Sequence, residues 1–523
     1  MRLGVDVGGT NTDAVLMEGR TVVAEFKTPT TPDVTAGIIG ALDGLRAAHS
    51  FDPGEIDAVM IGTTHFTNAV VEARRLLPTA AIRLGLPATA ALPPMVDWPE
   101  RLREALGGHV FLCHGGHEFD GRVISPLDRD ELRRAAEEIG SRGITTVAIS
   151  SVFSPVNSEM EEEAAEVVRE ALPGVAVSLS HQIGRIGLLE RENATILNAC
   201  LRQLADQIPD ALEEAVQSAG IQAPLFISQN DGTLMSVDYC RQYPVATFAS
   251  GPTNSMRGAA FLSGEADCIV VDVGGTTTDV GALQHGFPRE ASVEVEVGGV
   301  RTNFRMPDVV SVGLGGGSLV RTNGDHVEIG PDSVGYEITQ RALVFGGDTL
   351  TATDLAVAAG MYELGDVARA QAIERRVVEA GVRRIFERAA EVVDRVKTSA
   401  EPLPVVVVGG GSILLPDAME GASRVVKPDH FAVANAIGAA IAQVGGEVDR
   451  VFSLEGIGRE QAIGQARKEA EEKAVTAGAD PSTVNVVDVE EVPLAYLPSN
   501  AVRIRVKAVG DLRLGDGHGP VGN

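Results

Sequence analysis

One eight-residue pattern occurs twice in this chain, and its residue types suit phosphate chemistry. Asp6-Val7-Gly8-Gly9-Thr10-Asn11-Thr12-Asp13 returns as Asp272-Val273-Gly274-Gly275-Thr276-Thr277-Thr278-Asp279, too far apart for a short-period solenoid. Paired glycines let a backbone approach a ligand closely and present successive N–H donors, which suits phosphate oxygens. The threonine hydroxyls add donors without charge. The leading carboxylates, Asp6 and Asp272, are placed to hold water around Mg²⁺, the usual companion of a polyphosphate. Asp13 and Asp279 close the two tips, where a carboxylate orients water or a nucleophile, or else caps the turn.

A third glycine cluster, Gly409-Gly410-Gly411-Ser412, follows the apolar run Val405-Val406-Val407-Val408 and suits close approach to a base and ribose. No G-x-x-x-x-G-K-[ST] occurs, so a P-loop is excluded, and no G-x-G-x-x-G follows the first strand as a dinucleotide fold requires. On the substrate side, Thr63, Thr64 and His65 stand at the end of an apolar run, where α/β proteins place function. Gly315, Gly316, Gly317 and Ser318 could form a nest for an anionic substrate or the transferred phosphoryl group, or a tight crossover loop. Arg301 and Arg305 lie just upstream, as candidate charge donors or as surface ion-pair partners. His109, His114 and His117, near Glu118 and Asp120, form the one histidine cluster and a weak metal candidate.

These motifs need elements to hold them. Each repeat lies between two apolar runs, which predicts a β-hairpin with a hydroxyl-rich tip. Apolar runs at 58–64, 145–150 and 174–180 read as strands, and 158–170 as an acidic capped helix. A long helix is expected from about 190 toward 220, bent near Pro209, and another from 433 to 444. Strands alternating with helices imply mostly parallel sheets covered on both faces. The expected division is a domain at 1–185 with the first hairpin, a second at 186–450 with the second hairpin and the Gly409 loop, and a small α+β tail at 451–523. A ligand would sit between the first two.

Composition narrows the classes of function. Lys and Arg number 44 against 72 Asp and Glu, a formal net charge of −28, which disfavours nucleic acid and anionic membranes. The four cysteines are scattered, which argues against a zinc finger or a disulfide framework and fits a reducing cytoplasm. Neither a signal peptide nor a membrane-spanning apolar run is visible.

Two D-x-G-G-T hairpins, a later strand ending in Gly-Gly-Gly, and small-residue helices at 251–260 and 434–442 resemble the layout of the actin/hexokinase/Hsp70 ATPase superfamily. Within it, the chain is similar to the ATP-binding, hydantoinase A-like subunit of the hydantoinase/5-oxoprolinase family. The carrying stretches are 62–69 (Gly-Thr-Thr-His-Phe-Thr-Asn-Ala), 190–199 (Glu-Arg-Glu-Asn-Ala-Thr-Ile-Leu-Asn-Ala), 229–235, Ser250-Gly251-Pro252, the second hairpin and 313–318. The resemblance departs at 336–341, which reads Tyr-Glu-Ile-Thr-Gln-Arg where the family has a Pro-Gly-Pro-rich segment. It implies an α/β fold with two actin-like, ribonuclease H-like ATPase domains flanking a nucleotide cleft. Gly8 to Thr12 and Gly274 to Thr278 would be the phosphate loops, and Gly409 to Ser412 the adenosine loop. ATP and Mg²⁺ would drive ring opening of a cyclic amide such as a hydantoin or a 5-oxoproline-like lactam, with a hydantoinase B-like second subunit and an oligomeric assembly. A small-molecule kinase and a nucleotide-driven activator or chaperone-like ATPase are the competing expectations.

Overall fold

The computed structural model describes residues 1–31, 34–119, 121–291, 295–303, 306–323, 326–397, 399–454, 457–494 and 501–513. Arg305, Asp120 and the last ten residues of the tail lie outside this set. Both repeats form the expected hairpins. Arg2–Val7 pairs antiparallel with Asn11–Glu18, and Cys268–Val273 with Thr278–Gln284. The registers are equivalent: Asp6 faces Asp13 and Val7 faces Thr12, as Asp272 faces Asp279 and Val273 faces Thr278.

Each hairpin belongs to its own sheet. The first sheet has nine strands in the order Asn485–Pro493, Val502–Gly510, Gln443–Phe452, Thr233–Ser236, Leu225–Ser228, Ala58–Thr63, Arg2–Val7, Asn11–Glu18, Thr21–Pro29. The second runs Phe287–Pro288, Thr278–Gln284, Cys268–Val273, Leu403–Val408, Ala422–Val426, with Val309–Val312 also paired to Thr278–Gln284. The central strands Ala58–Thr63 and Leu403–Val408 lie parallel to the first strand of each hairpin and are buried on both faces, so they read as unbroken apolar runs. A separate four-stranded parallel sheet, His109–His114, Thr79–Leu86, Thr146–Ser151 and Ala176–Leu179, carries its own apolar core. The α/β, two-unit architecture expected from the sequence is present.

Strand pairing cuts across the expected boundaries. Leu225–Ser228 and Thr233–Ser236 join the first sheet although they follow residue 186. The tail strands extend that same sheet through Gln443–Phe452, so the tail is a continuation rather than an appendage. Helix bounds shift too. The expected bend at Pro209 falls instead at Leu201, between Leu188–Cys200 and Arg202–Ser218, and Pro209 sits inside the second helix. The helix placed at 433–444 ends at Ala440, because Gln443 and Val444 are already paired in a strand.

Two helices exchange between the sheets. Ser250–Ser263 follows the strands of the first sheet and packs on the second, beneath Cys268–Val273 and Leu403–Val408. Ala434–Ala440 follows the second sheet and packs on the first, where a Cβ at Gly4 would come within 2.3 Å of the Ala436 carbonyl. The helices cross in backbone contact. A Cβ at Gly258 would lie 1.8 Å from the Ala434 carbonyl oxygen, and one at Gly438 would lie 1.8 Å from that of Asn254. Only glycine permits that approach. The ribbon Val295–Val297/Val300–Thr302 makes a second tie, burying Val297 and Val300 in the first sheet's core.

Candidate functional site

The hairpin tips meet end to end. A Cβ at Gly275 would stand 3.0 Å from Thr10 Cγ2, so the two tips define one site between the sheets. Each tip is closed by one backbone hydrogen bond, Gly8 N–H to the Asn11 carbonyl at 3.0 Å and Gly274 N–H to the Thr277 carbonyl at 2.8 Å. None of Gly8, Gly9, Gly274 and Gly275 has a positive φ, so glycine serves close approach here and not the turn itself. Gly9 has nothing within 4 Å of where a side chain would begin. The third loop arrives beside the second hairpin: Gly409 (φ +85) turns the chain, and Gly411 N–H donates to the Val273 carbonyl at 2.7 Å. A Cβ at Gly409 would lie 2.2 Å from Asp272 Oδ1. The structure therefore brings Gly8 to Thr12, Gly274 to Thr278 and Gly409 to Ser412 into one place.

Four carboxylates line this place, and all four are pushed above their ordinary range, chiefly by burial. Asp6 rises to about 7, with Asp13 adding to the effect; Asp272 rises to about 6, with Asp279 adding. Asp13 and Asp279 rise as well. Each leading aspartate is held by the crossing helix that packs on its own sheet. Asn435 Nδ2 donates to Asp6 Oδ2 at 2.8 Å, and the Ser255 side chain opposes the rise at Asp272. The helix contacts above align Asn254 with Ala434 and Gly258 with Gly438, which makes Ser255 and Asn435 equivalent positions. Asp6 Oδ1 is buried with no partner. Such an oxygen fits the expected role of accepting from metal-bound water. Among the described residues no group of three or more His, Cys, Asp and Glu side chains could hold a metal ion directly. That also leaves His114 and His117 without a metal cluster; His114 pairs with Glu131.

The trailing aspartates differ from each other in an informative way. Across the next strand, Asp13 faces Lys27 and Asp279 faces Ser311. Lys27 Nζ pairs with Asp13 Oδ1, and the Ser311 hydroxyl donates to Asp279 Oδ1. Lys27, Asn435, Ser255 and Ser311 are the site residues that the motifs did not reveal. Their signals are faint: a lysine in the strand after the hairpin, and polar residues in otherwise small-residue helices.

The substrate-side candidates divide. Thr63, Thr64 and His65 do adjoin the first hairpin, since Val7 faces Thr63 in the parallel register. Thr64 Oγ1 donates to the Val7 carbonyl, and His65 Nδ1 lies 2.7 Å from Thr63 Oγ1. Burial, reinforced by Arg75, lowers His65 to about 4, so it is neutral at pH 7. The backbone N–H groups of the nest at 315–318 are already used within the fold. Gly316 and Gly317 N–H donate to the Gly274 and Gly275 carbonyls, and Gly315 N–H donates to Ser318 Oγ. This segment buttresses the second hairpin from behind. Arg301 is paired with Asp97, away from the tips.

Residues 2–172 match the hydantoinase/oxoprolinase N-terminal region and residues 191–392 match hydantoinase/oxoprolinase. The chain belongs to the hydantoinase/oxoprolinase family. It is 30% identical over 475 residues to the caprolactamase alpha subunit of Pseudomonas jessenii, covering 84% of this chain and 65% of that one. It is 27% identical over 396 residues to the acetophenone carboxylase gamma subunit of Aromatoleum aromaticum, covering 68% and 53%. The chain thus spans under two-thirds of the length of these curated relatives. Two solved structures share the fold: the ATP-dependent caprolactamase of Pseudomonas jessenii, with TM-score 0.76 at 20% identity, and nucleotide-free acetone carboxylase, with TM-score 0.71 at 18%. Each comparison covers 98% of this chain and 88% of the other. Among the described residues no helix is long and apolar enough to cross a membrane.

Proposed function

We propose that this chain is the ATP-using component of an enzyme that opens a cyclic amide by phosphorylating its carbonyl oxygen. The observation that carries the reading is the pair of equivalent glycine hairpins meeting tip to tip, one backed by the buried Asp6 and the other by the half-buried Asp272, in a member of this family. Relatives named caprolactamase and 5-oxoprolinase support the choice of a cyclic amide. An amide carbonyl is a poor electrophile. Transfer of the γ-phosphoryl group to its oxygen leaves ADP and makes the ring carbon attackable. One water adds at that carbon and the C–N bond breaks, the nitrogen taking a proton. A second water attacks the same carbon and releases phosphate.

The chain's residues supply position and electrostatics, which dominate phosphoryl transfer. The N–H groups at the turn of each tip, with the hydroxyls of Thr10, Thr276 and Thr277, hold phosphate oxygens, and the loop at 409–412 holds the nucleoside. Asp6 and Asp272 would hold Mg²⁺ through water, and that ion would neutralise charge developing on the phosphates. Thr63, Thr64 and His65 face the organic substrate, with His65 acting as a neutral hydrogen-bonding group. Water attack is assigned to a second subunit, since the relatives are named as subunits.

The test is ATP hydrolysis by the purified chain, alone and with a co-purified partner, across a panel of lactams, hydantoins and imides. Stimulation with release of inorganic phosphate supports the reading. A stable phosphoester product would make the chain a kinase, and ATP binding indifferent to every amide would make it an activator.

A further inference from the structure

The four aspartates of the site come in two equivalent pairs, and among the described residues one pair is met by a cation and the other by a hydroxyl. Lys27 occupies on Thr21–Pro29 the place that Ser311 occupies on Val309–Val312, each directly across from the aspartate that closes its hairpin. Its ammonium pairs with Asp13, which is 1% exposed, while the lysine side chain itself is 30% exposed. Lys27 Cε also lies 3.8 Å from where a Gly410 side chain would begin, so the lysine reaches from the first hairpin to the third loop. Its charge is felt by carboxylates on both sheets, Asp6 and Asp272 alike. In a chain of net charge −28, a polyphosphate needs a local cation, and Lys27 stands where all three loops converge.

We infer that Lys27 is the phosphate-binding cation of the site, held by Asp13 until a nucleoside triphosphate takes the ammonium over. This rests on the nucleotide reading above. Asp13 is then the resting counter-ion: it orients the ammonium, and it competes with phosphate oxygens for it. Ser311 gives the second hairpin no such charge, so the site is polar in the directional sense. The phosphate chain enters with its negative end toward the first hairpin.

Binding measurements on four proteins test this: the full chain, Lys27→Met, Lys27→Arg and Asp13→Asn, each titrated calorimetrically with Mg·ATP and with adenosine as the phosphate-free probe. Lys27→Met should weaken Mg·ATP at least tenfold and leave adenosine within twofold. Lys27→Arg should recover most of the loss, and Asp13→Asn should bind Mg·ATP as tightly as the parent or more so. A Lys27→Met variant that binds Mg·ATP like the parent overturns the inference. So does an Asp13→Asn variant weakened as much as Lys27→Met, since the pair would then be structural. A parent chain that binds no Mg·ATP removes the nucleotide reading itself. Thermal unfolding of the unliganded variants identifies any that fail to fold, and Lys27→Gln then replaces Lys27→Met.

Discussion

Asn435 donates a hydrogen bond to Asp6 across 429 residues of sequence, and Ser255, at the equivalent position of the other crossing helix, opposes the rise at Asp272. Both helices are fixed by glycine contacts at backbone distance, so the two carboxylates are set by one crossing. The site and the joint between the sheets are a single construction.

The carboxylates make stability depend on pH with a definite sign. An unfolded aspartate releases its proton near 4, whereas Asp6 holds it to about 7 and Asp272 to about 6. Over that interval the folded chain binds protons that the unfolded chain has lost. Their contribution is therefore fully present below about pH 4 and is lost as pH rises through about 6 to 7. The unliganded thermal midpoint should fall between about pH 5 and pH 8, and Asp6→Asn should flatten the fall. A midpoint that rises over this range, equally in both proteins, contradicts the assignment.

The helix crossing should tolerate no side chain. Gly438→Ala forces a methyl group onto the Asn254 carbonyl and should destabilise by about 3 kcal/mol or more. Gly464, inside the helix Arg459–Thr476 with nothing within 4 Å of its Cβ position, is the contrast. There Gly→Ala should stabilise by up to about 1 kcal/mol. Urea unfolding of the two variants checks both signs at once.

The buttress at 313–318 should act through the hairpin it supports. A Cβ at Gly315 would fall 2.6 Å from Thr276 N and 2.7 Å from the Gly275 carbonyl carbon. Gly315→Ala should therefore displace the second tip and lower ATP turnover by roughly ten- to a hundredfold, although the Gly315 N–H is already spent on Ser318 Oγ. Unchanged turnover in a folded variant would detach this segment from the site.

His65 should serve as a neutral group throughout the working range. With its imidazole lowered to about 4, turnover should show no inflection from His65 between about pH 5 and pH 8. His65→Ala should raise KM for the organic substrate while leaving the Kd for Mg·ATP within about twofold. A variant that loses nucleotide binding instead would move His65 to the phosphate side.

The hairpins and the Gly409 loop were legible because their chemistry is local: eight consecutive residues specify turn, donors and carboxylate together. Lys27 and Ser311 were not, since their role follows from the register of a neighbouring strand and not from spacing along the chain. Asn435 and Ser255 were hidden by the helix crossing, which sends each helix to the sheet it does not follow in sequence. The same exchange explains the boundary expected at 185/186, because strands at 225–236 return to the first sheet before the crossing occurs. The nest at 315–318 reads in sequence like an anion site, and only the hydrogen-bond partners show that its N–H groups are spent on the hairpin and on the nest itself.

Carbonyl phosphorylation is tested most directly by following one oxygen atom. A cyclic amide that stimulates ATP hydrolysis is labelled with ¹⁸O at its carbonyl and turned over by the chain with its partner present. Attack of both waters at the ring carbon leaves the labelled oxygen on phosphorus, so ¹⁸O should appear in inorganic phosphate, one atom for each ring opened. Label retained wholly in the carboxylate of the opened product would contradict the account.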